Sequence, residues 1–173
     1  LKLAFTGSLA QCSKLLVRTP GSGPSWKIRG FWIPPNRYEM NVWHYFENRV
    51  KKVLKGKEES NKLIGGRDKN LKFFQRSATD LSFLDDNSID YIFTDPPYGD
   101  SVPYLELNIF WSAWLKQEGL FDDEIIISDS PVRREKNKEN YAKLIRLAYK
   151  ELYRVLKPGK YLTLTFHNTD IFL

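Results

Sequence analysis

Residues 90–98 read Asp-Tyr-Ile-Phe-Thr-Asp-Pro-Pro-Tyr, a short strand of the buried type cut short by two consecutive prolines. Proline fixes its own φ, offers no N–H to a ladder and pushes the residue before it into extended geometry. A strand over about 90–94 must therefore stop at Asp95, and the chain must leave it through a stiff turn. That turn projects Asp95 and Tyr98 in set directions at the carboxyl end of the strand. In an open α/β sheet, ligands bind just beyond this end.

The flanking pattern extends the same architecture. An apolar helix is expected over 2–16, followed by a Gly/Pro/Ser linker to about Ser25 and a short aromatic and basic segment, Trp26 to Ile33, that reads as extended. Asn41 can cap a long helix to about Leu63, with Trp43, Phe46, Val50, Val53 and Leu54 at helical spacing and Gly65-Gly66 closing it. Strands are expected at about 71–76 and 90–94, the second preceded by the turn-forming Asp85-Asp86-Asn87-Ser88. A helix over about 104–116 carries Leu107, Trp111, Trp114 and Leu115 as a stripe suited to packing on a sheet. A polar loop over 119–137 leads to a final helix over about 138–156 that buries Tyr141, Leu144, Ile145, Ala148, Leu152 and Val155. It ends before Pro158-Gly159 and a last strand. Strands alternating with helices predict an α/β fold with a parallel sheet and right-handed crossovers. We divide the chain into an N-terminal helix and linker, residues 1–40, and a catalytic portion, residues 41–173.

Composition narrows the function classes. With 173 residues, 42% hydrophobic and 14% aromatic, the chain has enough apolar material for a core. A single cysteine, Cys12, excludes an internal disulfide and a cysteine-rich zinc site and reads as a small buried hydrophobe; two histidines make a histidine-rich metal site unexpected. Without an apolar run of membrane-spanning length or a signal peptide, a cytoplasmic location is expected. The net charge of +6 favours a polyanionic partner. The excess is concentrated in Arg49, Lys51, Lys52, Lys55, Lys57, Lys62, Arg67, Lys69, Lys72 and Arg76. Glu47, Glu58 and Glu59 interrupt that run, so a solvated helix face accounts for it as well as contact with a nucleic-acid backbone does.

Asp95-Pro96-Pro97-Tyr98 resembles the catalytic motif of the amino-group methyltransferases, S-adenosylmethionine-dependent enzymes that methylate the exocyclic amine of adenine or cytosine in DNA. The resemblance continues upstream, where Gln75-Arg76-Ser77-Ala78-Thr79-Asp80-Leu81 and Asp85 to Asp90 are similar to the family's strand, acidic loop and turn. Downstream, Tyr153 to Phe166 around Pro158-Gly159 is similar to the helix end, turn and next strand of Rossmann-like methyltransferases. Together these cover about residues 71–168. Gly99-Asp-Ser-Val-Pro-Tyr104 with its Trp-rich helix, and the segment Pro34 to Glu39, are similar to a subgroup of adenine-specific DNA methylases.

The resemblance implies a Rossmann-like fold and methyl transfer to adenine N6, Asp in the first motif position favouring adenine where Ser favours cytosine. An exocyclic amine is a poor nucleophile because its lone pair is delocalised into the ring. The Asp95 carboxylate and the Pro96 carbonyl are then the acceptors that localise the pair in the transition state. Tyr98 stacks on a base swung out of a DNA duplex. Pro97 stiffens the turn, and Gly99, Asp100 and Ser101 order the loop over the target base. Ser77, Asp80, Thr94 and Asp95 are the residues that the resemblance places toward the cofactor. No metal or membrane partner is implied, and oligomeric state is not legible.

One departure from the family pattern stands out. The family's glycine-rich cofactor loop, of the type Asp-Pro-Phe-x-Gly-Ser-Gly after a strand, has no counterpart; Gly21-Ser22-Gly23 lacks a strand before it and a helix after it and reads as a linker. A chain beginning at Leu1 and ending at Leu173 is therefore expected to be a piece of a longer methylase, an incomplete Rossmann-like domain holding the target-base half of the site. Its opening, Leu1 to Gln11, is similar to the segment C-terminal to the cofactor half in that subgroup. Two alternatives stay open: the same motif acting on an amino group in RNA or on cytosine N4, and a catalytically silent nucleic-acid-binding remnant. Arg133 and Arg134 are candidate phosphate contacts, His167 and Asn168 lie just past the last strand, and Trp26, Trp32 and Trp43 read as core.

Overall fold

The computed structural model describes residues 1–17, 21, 24–26, 33–65, 70–119 and 121–167. The chain is a mixed α/β protein that divides into two compact units, Leu1–Phe73 with Phe110–Gln117 and Phe74–Ile109 with Glu118–Leu173. The first unit thus takes in residues on both sides of position 40.

In the first unit, helix α1 spans Lys2–Leu9, about half the length expected. The hydroxyls of Ser8 and Ser13 fold back onto the Phe5 and Ala10 carbonyls, each at 2.8 Å, and the Ser13 oxygen accepts the Leu15 N–H at 3.2 Å. Such local bonds give the backbone an alternative to the helix. The chain turns, and Leu16–Val17 becomes strand β1, paired antiparallel with β2, Ser25–Trp26. Leu16 is fully buried, and Ala4, Leu9, Ala10 and Leu15 are buried with it. Of the segment expected to be extended over 26–33, residues 27–32 lie outside the described residues, Trp32 among them, as do Ser22 and Gly23 of the linker.

Helix α2, Val42–Ile64, starts where Asn41 Oδ1 accepts the His44 N–H at 2.9 Å. It ends at Gly65, whose φ of +56° suits a residue without Cβ and whose N–H closes onto the Asn61 carbonyl at 3.0 Å. Gly66, Arg67 and Lys69 lie outside the described residues. No α2 side chain is buried and Trp43 is 72% exposed, against its expected place in a core. The reason is length: α1 at about 12 Å cannot cover a helix of about 35 Å. Two of the helix's lysines are paired on the surface, Lys51 with Glu47 at 3.1 Å and Lys55 with Glu59 at 3.9 Å.

The second unit holds β3, Ile89–Thr94, and β4, Leu156–Leu164, a parallel pair with Tyr91 opposite Tyr161 and Thr94 opposite Leu164. Between them in the chain run α3, Tyr104–Leu115, two short 3-10 turns at Phe121–Asp123 and Pro131–Arg133, and α4, Lys138–Val155. Parallel strands need such a crossover. Asn137 caps α4 by accepting the Asn140 N–H at 2.9 Å, and α4 buries Tyr141, Ala148 and Val155 while Leu144, Ile145 and Leu152 are half-buried. Register slips between Ile89 opposite Leu156 and Tyr91 opposite Tyr161, so residues 157–160 bulge around Gly159 at φ +74°. Lys157 and Lys160 bracket Asp90 there, at 2.9 and 3.5 Å.

Three expectations are corrected. Residues 71–76 form no strand; they are exposed, and the ladder of β3 is made with β4. Extended backbone without a neighbouring ladder gains no pairing, whatever its β propensity. Strand β3 is not buried on both faces, since Tyr91 and Phe93, two residues apart and so on one face, are 55% and 64% exposed. The tryptophans of α3 find their partners in the first unit, on α1 and on Trp26 of β2. Trp111 Nε1 donates to the Thr6 carbonyl at 3.0 Å and its ring lies 5.1 Å from that of Trp26, while Trp114 meets Phe5 edge-on at 5.9 Å. An indole has one apolar body and one donor, and α1 offers both an apolar wall and an acceptor.

Candidate active site

Strand β3 hands the chain to Asp95, exposed, then to half-buried Pro96, Pro97 and Tyr98. The Tyr98 hydroxyl donates to Asp95 Oδ1. The Thr165 N–H donates to the Thr94 carbonyl at 3.1 Å, extending the β3–β4 ladder one residue past Leu164. Phe166 meets the Tyr98 ring edge-on, centroids 5.3 Å apart at 77°. The Asp95 carboxyl is held below the usual carboxylate range, first by the Tyr98 hydroxyl and then by Thr165, with desolvation opposing. The same bond pushes the Tyr98 hydroxyl above its ordinary value. Asp95 is therefore an ionised, oriented acceptor at neutral pH, with an aromatic ring beside it.

The turn after the prolines is pinned from behind. Tyr141 of α4, buried, donates to the Pro97 carbonyl at 2.6 Å. Burial is the main reason its hydroxyl titrates above the ordinary range. The Ser101 N–H and hydroxyl both reach the Tyr98 carbonyl, at 3.2 and 2.9 Å, and the Ile127 N–H reaches the Gly99 carbonyl at 3.1 Å. Asp100 and Ser101 stand exposed at the rim. Gly99 is buried at φ +64°, where an L side chain is disfavoured by roughly 1–2 kcal/mol. Gly99→Ala is expected to lower the stability of the chain by about that amount, read as a shift of the urea midpoint at unchanged slope. An unshifted midpoint would show that the turn relaxes freely.

Ser77 and Asp80 sit in a turn and not at a strand end. Ser77 Oγ lies 2.8 Å from Thr79 Oγ1, and Asp80 Oδ1 accepts the Ser82 N–H at 3.0 Å; the Ser82 side chain first and its N–H second hold the Asp80 carboxyl below its ordinary value. Glu151 and Arg154 of α4 anchor this turn. Glu151 accepts the Leu81 N–H at 2.8 Å, and Arg154 reaches the Leu81 and Leu84 carbonyls and Asp86 Oδ1 at 2.9, 3.0 and 2.6 Å. Their polar atoms are engaged on the turn itself, and no strand among the described residues enters a helix through a glycine-rich loop. Ser77 and Asp80 thus hold their own turn, while Thr94 and Asp95 lie at the end of β3. The described residues place a carboxylate acceptor beside two aromatic rings, Tyr98 and Phe166.

Arg133 is not available as a phosphate contact. It is 6% exposed, its guanidinium bonded to Glu124 at 2.7 Å, Glu106 at 3.2 Å and the Phe121 carbonyl at 3.1 Å. Lys136, 1% exposed, bonds the Asp122 carbonyl and, at 2.9 Å, the Glu124 carbonyl. Arg134 and His167 are exposed, and Asn168 lies outside the described residues. Trp26 is half-buried, and Cys12 is half-buried with its thiol pushed up mainly by burial.

Sequence reasoning places Tyr141 in the core and passes over Thr165 and Phe166 as site residues. The one available signal is the alternation Thr163-Leu164-Thr165-Phe166, which puts Thr163 and Thr165 on one face of the strand end. Comparisons of the chain with family models, with curated proteins and with solved structures find no match. Among the described residues no helix is long and apolar enough to cross a membrane, and no three His, Cys, Asp or Glu side chains are grouped to hold a metal ion.

Proposed function

We infer that the chain carries the target-base half of a Rossmann-like, S-adenosylmethionine-dependent methyltransferase acting on the N6 amine of adenine in DNA. The observation that supports this best is the ionised Asp95 carboxylate beside Tyr98, in an Asp-Pro-Pro-Tyr turn at the carboxyl end of a parallel strand. Asp95 accepts one N–H of the amine and the Pro96 carbonyl the other, drawing the lone pair out of the ring as positive charge develops on nitrogen. Tyr98 releases Asp95 and stacks on the displaced base. S-adenosylmethionine, when bound, supplies an electrophilic methyl group. The chain's own part is to position the amine and shed its proton toward Asp95.

Incubating the chain, joined to a segment that supplies the cofactor half of the site, with methyl-labelled cofactor and duplexes of matched length tests this; the chain alone is expected to transfer weakly or not at all. Label is expected in adenine-containing duplex and not in duplex where N6-methyladenine replaces every adenine. No transfer to any duplex or RNA by the joined protein, although it binds the cofactor by calorimetry, favours the silent nucleic-acid-binding alternative. Transfer to structured RNA in preference to duplex changes the substrate class.

A further inference from the structure

We propose that the groove along α4 is a track for a single nucleic-acid strand, the one that carries the target base to the Asp95-to-Tyr98 turn. The proposal rests on the methyltransferase reading for which strand this is. The groove lies wholly in the second unit, has a volume of about 900 Å³ and is lined by one side of α4 with Leu164 and Phe166 beside it. Two rows of side chains run along it. Tyr141, Ile145, Tyr149 and Tyr153 make the first, and Lys138, Ala142, Arg146 and Lys150 the second. Members of a row are four residues apart and so share one face of the helix, about 6 Å further along its axis at each step. One row is aromatic but for Ile145, and the other cationic but for Ala142.

Charge and exposure choose the occupant. Three cations line the groove against one carboxylate, Glu139. Arg146 and Lys150 are exposed, and among the described residues neither enters an ion pair. Tyr153 is 84% exposed, so its ring is open to a flat partner. Bases of any identity stack on aromatic faces while lysine and arginine along the same groove neutralise the backbone. An apolar helix laid there would make no use of the two charges. The track is also continuous with the site: Tyr141, at its N-terminal end, donates to the Pro97 carbonyl at 2.6 Å, and Phe166 meets the Tyr98 ring with centroids 5.3 Å apart. From Tyr141 to Tyr153 the helix advances about 18 Å, room for about five nucleotides at the spacing of a stacked strand.

The test is fluorescence anisotropy of a labelled oligothymidylate, which has no adenine for Asp95 to engage, on the 173-residue chain. Arg146→Ala with Lys150→Ala is expected to weaken binding and to flatten the slope of log K against log salt by about 1.4, at roughly 0.7 for each cation removed. Lys52→Ala with Lys57→Ala takes the same charge from α2 and is expected to leave that slope unchanged. Tyr153→Ala is expected to cost about fivefold in affinity, the loss of one stacked base, and Tyr153→Phe to restore it. All five side chains are exposed, so urea midpoints are expected to match wild type. No binding of oligothymidylate by wild type, or equal affinities and slopes for R146A/K150A and K52A/K57A, overturns the proposal. A dimer in sedimentation that Y153A dissolves, with oligothymidylate binding untouched, makes the groove an interface between copies and overturns it too. Should the joined protein transfer no methyl group while R146A/K150A still loses oligothymidylate, the methyltransferase reading fails and the strand-binding groove stands. Methyl transfer by the joined protein, with oligothymidylate binding unchanged in both groove variants, keeps the reading and removes the groove.

Discussion

Asp95→Ala is expected to reduce methyl transfer by on the order of 10²–10³ in kcat, the range seen when a preorganised acceptor or donor is removed from a developing charge. The expectation follows from where Asp95 sits. It is exposed at the end of β3, so its removal leaves no buried partner stranded, and the fold should survive with an unchanged denaturation midpoint. Asp95→Asn keeps an acceptor oxygen without the charge, and charged hydrogen bonds are about twice as strong as neutral ones. Its loss should therefore be smaller, about tenfold. The pH profile gives a second check. Because Asp95 is ionised in the folded chain below the ordinary aspartate range, its acceptor form persists as pH drops and is lost only on falling through that depressed value. The acid limb of kcat/KM, which reports the free protein, should lie below the ordinary aspartate range. Equal rates for wild type and D95A would remove Asp95 from the chemistry.

The largest effect on stability is expected at Arg133. Its side chain and that of Glu124 are each 7% exposed, with Glu106 as a second carboxylate partner. Truncating one member of a buried ion pair leaves the other charge without compensation, which costs about 3–5 kcal/mol. A folded domain has roughly 5–15 kcal/mol in total, so Arg133→Ala removes a large part of it. Two further bonds depend on the same cluster: Glu124 Oε1 accepts the Leu105 N–H at 2.8 Å, holding the first turn of α3, and Arg133 donates to the Phe121 carbonyl. Urea denaturation followed by tryptophan fluorescence should show the loss directly. Arg133→Met combined with Glu124→Leu should recover part of it, since the most deeply buried pair of charges is then removed together. A cost below about 1 kcal/mol for R133A would place the pair in the class of solvent-screened surface bridges.

Arg133 also shows where sequence reading stops. It is one of four consecutive charges in a polar loop, Arg133-Arg134-Glu135-Lys136, and nothing local distinguishes a phosphate-binding arginine from a buried one. Its fate depends on Glu124 and Glu106, nine and 27 positions away. The alternation of buried Arg133 and Lys136 with exposed Arg134 and Glu135 arises from the 3-10 turn at Pro131–Arg133, a conformation whose bonds close only when the loop has folded.

The sequence alone determined the features whose causes are local. Asn41 and Gly65 bounded α2, helical spacing marked out α3 and α4, and β3 ended where Pro96 and Pro97 forbid a strand to continue. The Asp95-to-Tyr98 turn was legible for the same reason, because proline acts on its own residue and the one before it. The tertiary structure decided everything that needs a distant partner. It denied residues 71–76 a ladder, took Trp111 and Trp114 to α1, and buried Arg133 and Lys136. It also carried Tyr141 to the Pro97 carbonyl across 44 positions of chain, and brought Thr165 and Phe166 to the same turn from the end of β4. Backbone preference is a property of a few adjacent residues, whereas burial and hydrogen-bond partnership belong to pairs that only folding brings together.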